Sequence, residues 1–238
     1  MNNTFLRTLT DIFYPRRCPV CDRAVRPFGS LVCETCQSEF VRIRQPYCLK
    51  CGKELSAETE EYCSDCMRRR HLFDSGRALF AYKSVSDSIY RFKYKGRQEY
   101  GAFYAACMAA DLGEWIARRR PDALIPVPVH AAKKRARGYN QAQVLARELG
   151  RRIHVPVETE LVKRVRRTAP MKDLPLAERQ NNLKRAFKIC RNDVKLDTVI
   201  IIDDIYTTGS TIDAMSYELR RAGVKRIYFV TLAIGRGL

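Results

Sequence analysis

The chain is expected to be an α/β protein: a parallel sheet flanked by helices, with a small cysteine-rich module ahead of it. Three observations predict this. Residues 199–202, Val-Ile-Ile-Ile, leave no polar side for solvent and so mark a strand buried on both faces. From about residue 76 onward, short apolar runs alternate with segments of helical periodicity, the pattern of strand–helix–strand units. Eight of the 10 cysteines form four Cys-x-x-Cys pairs before residue 70.

Taken in order, Phe5, Leu6, Leu9, Ile12 and Phe13 stand at helical spacing and predict an amphipathic helix over residues 1–15. It has neither the continuous apolar run nor the cleavage site of a signal peptide. Packing is its expected role, with contact to a membrane surface as the alternative. Residues 16–70 hold the cysteine module, residues 71–75 a short polar boundary, and residues 75–238 the α/β domain. Within that domain, strands are expected at 78–82, 123–129, 155–157, 199–202 and 227–234, and helices at 100–117, 140–152 and 212–222. No apolar run approaches the roughly 18 residues of a membrane span.

Cys18 and Cys21, Cys33 and Cys36, Cys48 and Cys51, and Cys63 and Cys66 recur with a 15-residue spacing between first members. Two thiolates separated by two residues chelate one tetrahedral Zn²⁺ from a tight knuckle, and a second knuckle closes the site. Two Zn²⁺ sites follow, paired sequentially or as an interleaved cross-brace. Disulfides compete with this reading, but four repeats of a metal-knuckle spacing without a secretory signal favour metal. The metal is structural, because thiolates fill all four positions and leave none for water. Cys107 reads as a packed small hydrophobe, and Cys190 carries no sign of reactivity.

At the carboxyl end of the 199–202 run stand Asp203 and Asp204, then Thr207, Thr208, Gly209, Ser210 and Thr211 before a helix. Open parallel sheets bind ligands at that end, and hydroxyls, backbone N–H groups and a helix N-terminus together receive an anion. Two carboxylates beside a phosphate cradle need a partner of their own, and the adjacent hydroxyls of a ribose supply one. This run resembles the 5-phosphoribosyl pyrophosphate (PRPP) signature of type I phosphoribosyltransferases. The resemblance implies that Asp203 and Asp204 hold the ribose hydroxyls, that Thr207, Thr208, Gly209, Ser210 and Thr211 hold the 5′-phosphate, and that Mg²⁺ bridges pyrophosphate and ribose. The purine-salvage branch usually carries an acid where this chain has Thr207, so a purine is not the expected substrate.

The net charge is +18, and two Zn²⁺ sites with four thiolates each lower it only to about +14. Polyanions are the expected partners, with an affinity that falls steeply with salt. Arg68, Arg69 and Arg70 form one cluster, and residues 90–97 alternate Tyr90, Phe92 and Tyr94 with Arg91, Lys93 and Lys95. Rings that stack on unpaired bases between cations that follow phosphates suit a single-stranded DNA surface. The same alternation equally fits a half-buried strand with its rings facing the core.

Residues 124–141 carry a strand, then Lys133, Lys134, Arg135 and Arg137, then Gly138, Tyr139, Asn140 and Gln141 ahead of a helix. Cations after a strand end are placed for pyrophosphate. This pattern, the cysteine knuckles and the segment with Leu174, Glu178, Arg179, Asn182, Ala186 and Phe187 are together similar to the ComF family of competence proteins. The resemblance implies a double zinc ribbon joined to a type I phosphoribosyltransferase fold. It also implies a role in DNA uptake during natural transformation, with internalised single-stranded DNA, a ComFA-type helicase and other competence proteins as partners. Residues 164–185 then form the loop that covers the site, with Lys172 and Arg179 as phosphate contacts, although a solvated helix face explains Arg179 as well, and Met171 stands where the family commonly has Gln. The expected location is cytoplasmic, or peripheral at the inner face of the cell membrane.

Two functional classes compete. As a binding module, the chain holds PRPP with Mg²⁺ at one site and single-stranded DNA on its basic surfaces. As an enzyme of nucleotide metabolism, it transfers the phosphoribosyl group to an acceptor that no residue identifies. Binding is the preferred reading.

Overall fold

The computed structural model describes residues 15–27, 29–165, 186–191 and 194–235. The expected amino-terminal helix and most of the loop 164–185, including Met171, Lys172 and Arg179, lie outside the described residues. In chain order the helices are α1 (Ser64–Arg68), α2 (Tyr82–Tyr94), α3 (Tyr100–Ala117), α4 (Ala131–Arg137), α5 (Gln141–Ile153) and α6 (Ser210–Arg221). The strands are β1 (Ser75–Ala81), β2 (Ala123–Pro126), β3 (Val162–Arg164), β4 (Phe187–Ile189), β5 (Thr198–Tyr206) and β6 (Arg226–Ile234).

Strands β1, β6, β5 and β2 form one sheet in that order, and every pair is parallel. Central β5 is apolar on both sides because both sides are covered. Ile200 and Ile202 enter the layer of α2, α3 and α5, while Val199 and Ile201 enter the layer of α6 and the β3–β4 pair, all four fully buried. Helix α3 turns Tyr100, Phe103, Tyr104, Met108, Leu112 and Ile116 inward as one stripe. Its Gly101 lets α5 approach: a Cβ there would meet the Val144 side chain at 2.4 Å.

The cysteine module is built into both layers. Cys18, Val25, Val32, Cys36 and Phe40 extend the α2–α3 layer, and Cys48, Cys51, Cys63 and Phe73 extend the α6 layer. Backbone bonds from Ile43 N to Leu79 O (3.0 Å), Ala81 N to Val41 O (2.9 Å) and Gly76 N to Lys50 O (2.8 Å) tie the module to β1. Gly52 backs onto that strand with φ +76°, and a Cβ would sit 2.8 Å from Gly76 O.

Three expectations are corrected. Residues 90–97 are neither a strand nor a ring-lined track: α2 runs to Tyr94, Phe92 is buried, and Tyr90 and Tyr94 lie exposed one turn apart with ring centroids separated by 5.1 Å. Residues 155–157 form one parallel bridge, Leu124 to Val157, rather than a strand. The strand expected over 123–129 ends at Pro126, since Pro126 and Pro128 bring no N–H to a ladder.

Candidate functional site

Asp203 and Asp204 lie in the carboxyl-terminal part of β5, both partly exposed. Asp203 accepts the Asp204 backbone N–H at 2.8 Å. Asp204, expected to hold a ribose hydroxyl, is ion-paired within the chain: Lys93 Nζ lies 2.9 Å from its Oδ1, with side-chain exposures of 16% and 14%. Burial works against the Lys93 ammonium, but the Asp204 charge outweighs it and holds the lysine above its ordinary value. Burial and the neighbouring Asp204 charge push Asp203 up to about 7, against the Asp204 N–H, Lys93 and Arg164. Together with Lys93, the acid pair therefore presents less negative charge to the loop that follows it than two free carboxylates would.

That loop is shaped by Gly209, whose φ of +77° suits a residue without Cβ. A Cβ there would come within 2.6 Å of Tyr206 Oη and 2.9 Å of His71 Cε1. Helix α6 begins at Ser210, two residues earlier than expected, and Ser210 Oγ lies 2.9 Å from Thr208 Oγ1. Thr207, Thr208, Ser210 and Thr211 thus gather hydroxyls at a helix N-terminus. The linker from the cysteine module closes on this helix, with His71 Nδ1 2.8 Å from Asp213 Oδ2 and Leu72 N donating to Asp213 Oδ1 at 2.8 Å. A cavity of about 140 Å³ separates Thr207 and Thr208 from Lys53, Arg68 and Arg69 of the module.

The eight cysteines gather sequentially, Cys18, Cys21, Cys33 and Cys36 in one cluster and Cys48, Cys51, Cys63 and Cys66 in the other, with Sγ atoms within 4.8 Å of one another in each. None is in a disulfide. The Cys51 and Cys63 sulfurs are 3.7 Å apart. A disulfide needs about 2.05 Å, whereas a tetrahedron of ~2.3 Å metal–sulfur bonds has an edge of about 3.8 Å. Hydrogen bonds from Cys51 and Cys66 hold Cys48 far below the usual thiol range, while Cys66 is pushed up by its bond to Cys48. The donor set suits a tetrahedral, thiophilic cation with no open position.

The remaining basic residues divide. Arg91 donates to Pro19 O (3.1 Å) and Val20 O (2.8 Å), so it pins the first knuckle rather than facing solvent. Arg97 likewise meets Asp22 at 2.8 Å, a residue that Tyr100 Oη also reaches at 2.6 Å. Lys93, turned to Asp204, is mostly shielded from solvent. Arg68, Arg69, Arg70 and Lys95 are exposed. Lys133, Lys134, Arg135 and Arg137 belong to α4, a short helix where a loop was expected; the first three are exposed, and Arg137 bonds Tyr94 Oη at 3.0 Å. Asn140 works structurally: its Oδ1 caps α5 at Ala142 N (3.1 Å), and its Nδ2 donates to Val127 O at 3.0 Å.

Among the described residues, no helix is long and apolar enough to cross a membrane. Residues 9–67 match the double zinc ribbon domain family, and residues 135–237 match the phosphoribosyl transferase domain family. Competence protein F of Haemophilus influenzae is 31% identical over 229 residues, which cover 93% of this chain and 98% of that protein. Competence protein ComFC of Bacillus subtilis is 28% identical over 194 residues, 76% of this chain and 74% of that one. DNA utilization protein YhgH of Escherichia coli K12 is 27% identical over 202 residues, 82% and 87% of the respective chains.

Proposed function

The chain belongs to the ComF family, a double zinc ribbon joined to a type I phosphoribosyltransferase-like sheet, and on that premise we propose that it binds PRPP with Mg²⁺ and single-stranded DNA in support of DNA uptake. One observation carries the PRPP half. Asp203 and Asp204 stand at the carboxyl end of β5 directly ahead of the Thr207–Thr211 hydroxyls and the α6 N-terminus. A ribose diol donates to carboxylates, and a 5′-phosphate accepts from hydroxyls and backbone N–H groups. Lys93 answers the repulsion problem, since it neutralises Asp204 and lets a phosphate approach.

Mg²⁺, when bound with PRPP, neutralises the pyrophosphate oxygens. The α4 cations Lys133, Lys134 and Arg135 add positive charge for that group. Each tetracysteine cluster holds one structural Zn²⁺ and fixes the chain around it. The DNA half rests on the net charge of +18 and on the exposed Arg68, Arg69, Arg70 and Lys95. The names of the relatives, two competence proteins and a DNA utilization protein, agree with that half.

The test separates binding from transfer. Purified protein is incubated with PRPP, Mg²⁺ and either nucleobases or single-stranded DNA while pyrophosphate release is followed, and strand retention is measured on filters. Binding of both ligands without release is the expected result. Sustained release that depends on one acceptor would make the protein a transferase instead.

A further inference from the structure

At the opposite end of the sheet from the Asp203 site, where β1 and β6 begin and α3 ends, five side chains form a stack. The Arg77 guanidinium lies 3.9 Å from the Tyr47 ring centroid and 5.4 Å from that of Trp115. Arg119 lies 3.4 Å over Trp115 and 5.0 Å over Tyr228. The two cations have no carboxylate partner among the described residues, and burial, with Arg77 adding to it, holds Arg119 below its usual range. Arg77 Nε, Arg119 Nε and Trp115 Nε1 are buried without a hydrogen-bond partner among the described residues. Partly buried cations without a counter-charge are costly unless an anion completes them.

A cavity of about 620 Å³ opens against this stack, walled by Phe40, Tyr47 and Trp115 and edged by Arg42, Arg44 and Arg77. Its size lies within the usual range for a small-molecule site. Arg42 is engaged by Asp111 at 2.5 Å, and Arg77 gives one Nη1 N–H to Gly76 O at 2.9 Å, which leaves Arg44 and the rest of the Arg77 fork for a ligand. Aromatic faces take a base, and guanidinium forks take a phosphate.

We propose that this cavity is a nucleotide site, in which Arg44 and Arg77 hold a phosphate while a base lies against Tyr47 and Trp115. The occupant is a free nucleotide or one nucleotide of a single strand, and the strand case rests on the DNA half of the proposed function. The site is independent of Asp203 and Asp204.

Trp115 is the one tryptophan of the chain, so intrinsic fluorescence reports on the cavity itself. Full-length protein is titrated with deoxycytidine monophosphate and, separately, with an unphosphorylated oligodeoxythymidine, alongside filter retention of the oligomer. Saturable quenching by either ligand is expected, weakened about tenfold or more in Arg77→Gln and in Arg44→Ala. Arg44 is exposed, so its replacement leaves folding intact. Quenching by the monophosphate without strand retention keeps this site and removes the DNA half of the function. Strand retention without quenching places the strand elsewhere and overturns the site, as does quenching unchanged in both variants or no quenching by either ligand.

Discussion

Lys93 and Asp204, 111 residues apart in sequence, form an ion pair of 2.9 Å at the carboxyl end of β5, with both side chains mostly shielded from solvent. The contact joins α2 to the proposed PRPP site and lowers the negative charge that an anionic ligand would meet there. Removing either partner leaves the other desolvated and alone.

Lys93→Met is therefore expected to lower unfolding free energy by about 3 kcal/mol, the range for breaking a shielded pair from one side. Adding Asp204→Asn to it should recover much of that loss. Urea unfolding of the four forms of this cycle measures the coupling. Additive losses would mean that the pair contributes no interaction of its own.

Asp203 sets a pH dependence. Its folded value of about 7 lies above the ordinary carboxyl value of 3.8, so the folded state holds this proton between those values while the unfolded chain releases it. The stability that Asp203 contributes is full below about pH 4 and is lost as pH rises through about 7. Asp203→Asn removes this dependence, so the melting temperature of the variant minus that of the native chain should rise from pH 5 to pH 8. A difference that stays flat or falls over this interval would contradict the assignment.

Metal removal should affect the whole molecule, because the two cysteine clusters feed opposite layers of the core. Chelation is expected to lower the melting temperature by more than about 10 °C in one cooperative transition, given roughly 10 kcal/mol per structural zinc site and about 2–4 °C per kcal/mol at this size. Calorimetry with and without chelator decides. An unchanged main transition would show that residues 75–235 stand without the module.

The α4 cations give a graded test. Lys133→Ala, Lys134→Ala and Arg135→Ala together should weaken PRPP binding several-fold while leaving ribose 5-phosphate binding near its native level, the outcome expected of residues proposed to serve the pyrophosphate end. Equal weakening of both ligands would assign these residues to general charge instead.

Much of this was legible in the sequence because it is local. The buried run at 199–202, the helix Tyr100–Ala117 and the knuckle pairs carry their signal within a few residues, and two of these need no partner to be read. Residues 90–94 misled because Tyr90, Phe92 and Tyr94 satisfy a period of two, yet on a helix the first and third lie together and the second faces away. Met171, Lys172 and Arg179 fall outside the described residues, but the β3–β4 pair at the stem of that segment is three residues long on each side and has no pattern to detect. The Lys93–Asp204 pair and the contacts of Arg77 with Tyr47 and Trp115 are tertiary, and nothing in local spacing announces them, although Trp115 and Arg119 stand four residues apart.

The most direct measurement is a calorimetric titration of PRPP with Mg²⁺ into the native chain and into the Asp203→Asn, Asp204→Asn variant, with single-strand retention followed in parallel as the control for folding. The account predicts saturable binding by the native chain, none by the variant, and nearly equal DNA retention by both. PRPP binding that survives the double replacement, or that is missing from the native chain, would contradict it.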